Sequence, residues 1–134
     1  YREGNCEKVT DVPQAKVIKQ GILPRITIAE AAASDHFAYE FRTWIEIPER
    51  GVYRFYTYSD DGSVLSIDGQ EVVNNDGGHS ARRTEGKVAL EKGFHELKVT
   101  YFEDYMGETL EVGFSGRNLP ETVLPDRLLF VPEK

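Results

Sequence analysis

The sequence has little cysteine, no long apolar run and no cluster of positive charge. The single cysteine, Cys6, excludes a disulfide within the chain and a zinc site built from cysteines. No apolar run approaches the roughly 18 residues that a membrane-spanning helix needs. Among 134 residues, 23 are acidic and 16 are basic, which gives a net charge of −7. Because nucleic acids bind clustered cations, we expect no nucleic-acid partner, and we expect no membrane insertion.

The motifs of common hydrolases are missing as well. The sequence has no nucleophile elbow, no His-Glu-x-x-His helix and no phosphate-cradling loop. His36, His79 and His95 lie on separate segments, without a nucleophile at a spacing that would indicate a partner. The adjacent carboxylates Asp60 and Asp61 share one peptide, so their side chains diverge and do not flank a sugar ring as glycosidase carboxylates do. The sequence therefore predicts a domain without catalytic activity of its own.

What the chain does have, from residue 36 onward, is regular alternation of apolar and polar residues, which is typical of β-strands. The predicted strands are 36–47, 52–58, 64–67, 71–73, 87–90, 94–102 and 110–114. Asp68-Gly69 between two of them predicts a type I′ hairpin turn, whose two central residues both need positive φ. Strands at regular spacing with turns between them predict an all-β fold, an antiparallel β-sandwich or barrel.

The same alternation supports predictions for one strand, one tryptophan and three short segments. Aromatic residues occupy both faces of 52–58, so we expect a central strand that is covered on both sides. Trp44 is expected in the core, with ligand binding as the alternative. Residues 16–18 and 128–131 are candidate strands, the latter at a sheet edge, and 28–33 form a loop with one candidate helical turn.

The domain boundaries are expectations too. We treat residues 1–134 as a single domain in which 1–35 is the least legible part. The chain begins at Tyr1 rather than Met, which we interpret as an excised module or a processed product.

Three polar loops carry the oxygen ligands that Ca²⁺ prefers. The first contains Asp60 and Asp61, the second spans 74–76, and the third contains Glu103 and further acids up to Glu108. Loops at one end of a sandwich can converge in space. The spacing is not that of an EF-hand, and oxygen-rich loops are also ordinary turns. A calcium site at Asp60 and Asp61 and a well-capped turn are both open interpretations.

Aromatic residues beside these loops suggest a sugar ligand. A tyrosine ring can stack on a sugar while carboxylates, amides and histidines exchange hydrogen bonds with the hydroxyl groups. The candidate ligand-binding residues are Asp60, Asp61, Asn75, Asp76, His79 and Tyr105. For His79, which follows two glycines, a role in stabilising the turn is the alternative.

A longer set of motifs ties the chain to a known family. The run Gly51–Ser63 followed by Ile67-Asp68-Gly69 resembles the protective antigen domain family, and so do Val72–Gly77 with His79 and the segment Glu108–Phe114. The similarity is strongest over residues 36–116. The resemblance implies a β-sandwich or barrel and a carbohydrate-binding role.

The resemblance also implies ligands and partners. In adhesin members the paired aspartates coordinate Ca²⁺ through a cis peptide, and the ion holds sugar hydroxyls; Asp60 and Asp61 match that pair. The adhesins complete the site with an Asn from a later loop, whereas the corresponding residues 103–107 contain acids and no Asn. The sequence looks closer to modules appended to bacterial hexosaminidase-like glycoside hydrolases.

The expected function follows from that likeness. It is a non-catalytic carbohydrate-binding or accessory module of an exported glycoside hydrolase, extracytoplasmic, with a glycan or a neighbouring catalytic domain as partner. Calcium is the candidate cofactor. The alternatives are a structural or protein-interaction module with a purely structural Asp-Asp loop, and a calcium-dependent lectin-like adhesin domain.

Overall fold

The computed structural model describes residues 1–21, 26–28, 31, 35–103, 109–116, 118–125 and 128–130. The strands are β1 Arg2–Glu3, β2 Lys16–Val17, β3 Phe37–Ile47, β4 Gly51–Asp60, β5 Ser63–Ile67, β6 Gln70–Asn75, β7 Arg82–Leu90, β8 Gly93–Glu103, β9 Thr109–Gly116, β10 Leu119–Val123 and β11 Leu129–Phe130. A 3₁₀ helix, Val9–Gln14, lies between β1 and β2. Within the described ranges, the chain contains no helix of the length and hydropathy needed to cross a membrane.

The described strands form two antiparallel sheets that face each other. The larger sheet has the order β2-β1-β3-β8-β5-β6. The seventh strand, β11, pairs with residues 44–45 of β3, farther along that strand than the residues that pair with β1. The smaller sheet has the order β10-β9-β4-β7. The predicted antiparallel β-sandwich is confirmed, and the described strands do not close into a barrel.

The core lies between the sheets and is built from the alternating residues that the sequence predicts. Because successive side chains of a strand point to opposite faces, most of the buried residues of β3 and β8 alternate along the strand. The buried residues of these two strands that belong to this core are Phe37, Tyr39, Phe41, Ile45, Ile47, Leu97, Val99 and Tyr101. Phe55 of β4 and Phe114 of β9 meet them from the smaller sheet, at a ring-centroid distance of 5.6 Å from each other.

Predictions for the hairpin turn and for two short strands are confirmed within the described residues. Asp68 and Gly69 have φ of 51° and 81°, which confirms a type I′ turn between β5 and β6. The candidate strands at 16–18 and 128–131 correspond to β2 and β11. The helical turn expected within 28–33 falls largely outside the described residues.

The prediction that β4 is covered on both faces is wrong. The strand is central, between β9 and β7, but Val52 and Tyr58 on its outer face are 59% and 40% exposed. Tyr56 is the buried aromatic residue on that face: the Arg83 guanidinium lies 4.1 Å from its ring centroid, and its hydroxyl donates to Glu111 at 2.7 Å. A charged side chain, rather than another layer of structure, covers that aromatic residue.

The prediction that Trp44 belongs to the core is wrong as well. Trp44 is half-buried and lies on the outer face of the larger sheet, opposite the buried Ile45. It pairs with Phe130 of β11. The odd-numbered residues of β3 face the core, so the even-numbered Trp44 lies on the opposite face of the strand.

Residues 1–17 form the N-terminal segment, in which β1 and β2 extend the larger sheet at its edge and the residues between them cover part of its outer face. The 3₁₀ helix contacts β8 and β3. Cys6 and Val12 from this segment pack against Ala38 and Phe102 in a small second cluster of buried residues. This cluster lies at the end of β8 that is closest to the Asp60–Asp61 turn.

Candidate metal and ligand site

The paired aspartates lie where the chain passes from one sheet to the other. Asp60 is the last residue of β4 in the smaller sheet, and Ser63 is the first residue of β5 in the larger sheet. The peptide bond between Asp60 and Asp61 is cis. The crossover places both aspartates at one end of the sandwich, where the chain passes between the two sheets.

Buried hydroxyl groups hold the crossover in place. Ser59 Oγ donates to the Asp61 carbonyl oxygen at 2.9 Å and lies 2.7 Å from Ser63 Oγ. Ser63 Oγ donates to Thr57 Oγ1 at 2.9 Å. The hydroxyl of Tyr101 donates to the Asp60 carbonyl oxygen. The polar atoms of these side chains therefore satisfy one another within the protein and stabilise the crossover.

Gly62 allows this turn to approach its neighbours closely. A Cβ at this position would lie 2.5 Å from the Phe102 ring and 2.8 Å from the Gly77 nitrogen. The Phe102 N–H donates to the Gly62 carbonyl oxygen at 3.0 Å. Any side chain at residue 62 would push the turn away from β8 and from the loop after β6.

Glu103, the last residue of β8, joins the two aspartates. One carboxylate oxygen from each of Asp60, Asp61 and Glu103 lies within 4.8 Å of the others. The three residues are 9%, 5% and 0% exposed. Within the described part of the chain, Asp60 Oδ1 and both carboxylate oxygens of Glu103 are buried without a hydrogen-bond partner. Buried polar atoms without partners are rare in proteins and cost about 1–3 kcal/mol each.

This crowding shifts the protonation of the cluster. Burial, followed by the hydrogen bond that a protonated Glu103 makes with the Asp61 carboxyl group and by the charges of Asp61 and Asp60, raises the pKa of Glu103 to about 9. Burial and then the charge of Asp61 also raise the pKa of Asp60, although His79 and the Ala81 N–H partly oppose this. A bound divalent cation would favour the ionised forms and reverse these shifts.

Asn75 is fully buried behind the cluster. Its Nδ2 donates to the Arg82 carbonyl oxygen at 2.7 Å, and its Oδ1 accepts from Arg82 Nε at 3.1 Å. The same Nδ2 lies 3.3 Å from Ser59 Oγ. The amide thus connects the end of β6 to β4 and β7, and its hydrogen bonds are made within the protein.

The loop after β6 supports Asp61 directly. The His79 N–H donates to Asp61 Oδ1 at 2.9 Å, while its ring nitrogens lie 2.8 Å and 2.7 Å from the carbonyl oxygens of Asn75 and Ser80. Asp76 Oδ1 accepts from its neighbour, the Gly77 N–H, at 2.8 Å and from the Val9 N–H at 2.9 Å. Asp76 therefore ties this loop to the N-terminal segment.

The structure brings Asp60, Asp61, Asn75, Asp76 and His79 together around one crossover. Tyr105, the sixth predicted site residue, lies outside the described residues. From the sequence, Glu103 was placed in a third oxygen-rich loop and was not included among the candidate site residues. One feature could have identified it: it continues the alternation of Leu97, Val99 and Tyr101, which places a carboxylate on the buried face of β8.

Residues 24–119 match the sequence model of the PA14 domain. The chain belongs to the PA14 domain family. This confirms the resemblance to the protective antigen family, from which the PA14 domain takes its name. PA14 domains are known as carbohydrate-binding modules of adhesins and glycosidases and are typically non-catalytic.

Solved structures share this PA14 fold. An anti-sigma factor domain-containing protein from Clostridium clariflavum matches with a TM-score of 0.81 and 18% identity over 96% of this chain and 46% of its own. The PA14 domain of the MpAFP antifreeze protein gives 0.62 and 22%, over 72% of this chain and 53% of its own. A PA14 sugar-binding domain from an RTX adhesin gives 0.64 and 18%, over 71% and 54%. The chain thus spans about half the length of these structures. Comparison with curated proteins gives no match.

Proposed function

We propose that this PA14 domain is a non-catalytic carbohydrate-binding module whose ligand end is the Asp60–Asp61 crossover. We further propose that a Ca²⁺ ion held by Asp60, Asp61 and Glu103 takes part in binding. The observation that carries this proposal is the set of three buried carboxylate oxygens that lack a hydrogen-bond partner among the described residues. A cation satisfies such oxygens; without one, a proton on Glu103 that is shared with the Asp61 carboxyl group satisfies them only in part.

The chemistry of the donors favours calcium. All three side chains offer hard oxygen ligands, and Ca²⁺ takes six to eight of them, including backbone carbonyls, water and ligand hydroxyls. When bound, the ion would neutralise the clustered carboxylates and offer coordination positions to two hydroxyl groups of a sugar. The protein's own part is to hold the carboxylates together: Ser59, Asn75 and the His79 N–H fix the crossover before any ligand arrives.

The setting of the module is also part of the proposal. Because PA14 domains occur in glycosidases and in secreted or surface adhesins, we infer an extracytoplasmic bacterial protein with a glycan as partner. Attachment to an exported glycoside hydrolase, of hexosaminidase-like type, stays a prediction, and so does the single domain over residues 1–134.

A structural module is the second candidate. The hydrogen bonds of Ser59, Ser63 and Asn75 stabilise the crossover without any ligand, which is what a domain that only packs on a catalytic neighbour would need. The two hypotheses differ in whether Asp61 and Glu103 matter for binding or only for stability.

Glycan-array binding and calorimetric titration, each with calcium and with chelator, test the proposal. We expect calcium to bind the parent protein, glycan binding to require calcium, and Asp61→Asn to remove both. Glu121→Gln, which removes an exposed carboxylate of β10, is the matched control and should behave as the parent. Glycan binding that is absent for the parent would favour the structural module. Glycan binding that is equal in parent and Asp61→Asn would show that the ligand does not bind at the crossover.

A further inference from the structure

The N-terminal segment precedes the PA14 match at residues 24–119 and yet reaches the carboxylate cluster by two routes. The first route is polar. The Val9 N–H donates to Asp76 Oδ1, and the same loop then presents the His79 N–H to Asp61 Oδ1. Two hydrogen bonds of 2.9 Å thus connect the 3₁₀ helix to a proposed calcium ligand through one short loop.

The second route is apolar. Cys6 and Val12 bury the ring of Phe102 on the outer face of β8. The backbone of Phe102 donates to the Gly62 carbonyl oxygen, and its ring occupies the space that a side chain at residue 62 would need. Phe102 also directly precedes Glu103. The segment therefore packs on the residue that positions both the crossover and the third carboxylate.

We propose that docking of the N-terminal segment and ligand binding at the carboxylate cluster are coupled, with Asp76 as a positioning residue. This inference rests on the proposed calcium site. If the segment opens, the loop at 75–79 loses its tie to the 3₁₀ helix and Phe102 loses its cover, so the carboxylates lose their fixed spacing. Coupling is reciprocal by thermodynamic necessity, so calcium must also hold the segment closed.

The single cysteine makes this coupling measurable. Cys6 is 1% exposed, so a thiol reagent such as dithiobis(nitrobenzoate) reaches it only when the segment opens. We expect saturating calcium to slow the labelling of Cys6 at least about fivefold, the lower range of typical allosteric coupling. Chelator should restore the original rate.

Two pairs of variants isolate the polar route. Val9→Pro removes the N–H that Asp76 accepts, at the first position of a helix, where proline is tolerated. Val9→Ala shortens the side chain and keeps the donor. Asp76→Ala removes the acceptor, whereas Asp76→Asn keeps an acceptor oxygen. We expect Val9→Pro and Asp76→Ala to speed labelling and weaken calcium binding at least about fivefold, Val9→Ala to do neither, and Asp76→Asn to speed labelling less than Asp76→Ala does.

Asp68→Ala controls for general loss of stability. Asp68 also precedes a glycine and accepts a backbone N–H, that of Glu96 at 2.9 Å, but lies at the opposite end of β5. It should leave the labelling rate of Cys6 and the calcium affinity unchanged. Equal effects of Asp68→Ala and Asp76→Ala would overturn the positioning role.

The remaining outcomes separate this inference from the proposed function. If calcium binds but does not change the labelling rate, the coupling is overturned and the binding function stands. If calcium does not bind, the labelling rate of Cys6 in Asp61→Ala tests the coupling. Loss of the contact between Asp61 and the His79 N–H should still speed the labelling. An unchanged rate in that variant overturns the coupling, and a faster rate supports it while the calcium site is abandoned.

Discussion

The two ends of the sandwich carry acidic turns of similar sequence and opposite character. At the hairpin end, Asp68 is half-exposed and both of its carboxylate oxygens have partners: Oδ1 accepts from the Glu96 N–H, and Oδ2 lies 2.6 Å from His95 Nδ1. At the carboxylate end, Asp60 and Glu103 are buried, and three of their oxygens have no partner among the described residues. The carboxylate oxygens of Asp68 all have partners within the protein, whereas the unpartnered buried oxygens of Asp60 and Glu103 are the observation that supports the proposed calcium site.

The largest difference that we expect between the two ends concerns the thermal stabilisation of the protein by calcium. At a concentration of 100 times the Kd, calcium should stabilise the parent by about 2.7 kcal/mol, or roughly 10 °C in melting temperature. Glu103→Gln should remove most of this shift because it removes an anionic ligand, while Asp68→Asn should keep all of it. Differential scanning fluorimetry with calcium and with chelator measures the difference. A shift that survives in Glu103→Gln would contradict the assignment of the ion to the carboxylate end.

The next effect is the pH dependence of stability in chelator. The pKa of Glu103 is raised from 4.5 to about 9 in the folded protein. A raised pKa contributes stability below the unfolded value and loses it as the pH rises toward the folded value. The parent should therefore lose on the order of 2 kcal/mol between pH 5 and 9, and Glu103→Gln should not. Urea unfolding at several pH values measures this loss. Parallel pH profiles of stability for the two proteins would contradict a raised pKa of Glu103 in the folded protein.

A third effect concerns the support of the crossover. Asn75→Ala leaves the Arg82 carbonyl oxygen and the buried hydroxyls behind it without their donor, so we expect a loss of about 2 kcal/mol in unfolding free energy. Asn74→Ala, at the exposed neighbour, should change stability by less than about 0.5 kcal/mol. Chemical denaturation compares the two variants, and equal losses would show that the crossover does not depend on Asn75.

The smallest effect belongs to the hairpin end. Burial lowers the pKa of His95, but hydrogen bonds to Asp68 and the Glu91 carbonyl oxygen outweigh it, so the net pKa is raised. This contribution is present below the unfolded pKa near 6.5 and is lost as the pH rises through the folded value. Since Asp68 is half-exposed, we expect less than about 1 kcal/mol. His95→Gln should flatten that part of the pH profile and leave calcium binding unchanged; a changed calcium affinity would mean that the two ends are not independent.

Much of this fold was predictable because its signals are local. Period-2 alternation located β3, β4, β8 and β9, and Asp68-Gly69 specified its own turn through positive φ. Trp44 and Tyr58 show where local patterns fail. Which face of a strand becomes the core depends on where the second sheet packs, and neighbours along the sequence do not contain that information.

The candidate site also combines features that the sequence predicts with features that it does not. The sequence by itself determined the adjacent aspartates, the glycine after them and the likeness to the PA14 family, since all of these lie within one continuous run. Only the tertiary structure decided that Glu103 meets Asp61, that Asn75 is occupied inside the protein, and that Asp76 reaches the N-terminal segment. The physical reason is that desolvation and like-charge contact arise when distant strand ends are packed together, and neither is a property of the isolated segments.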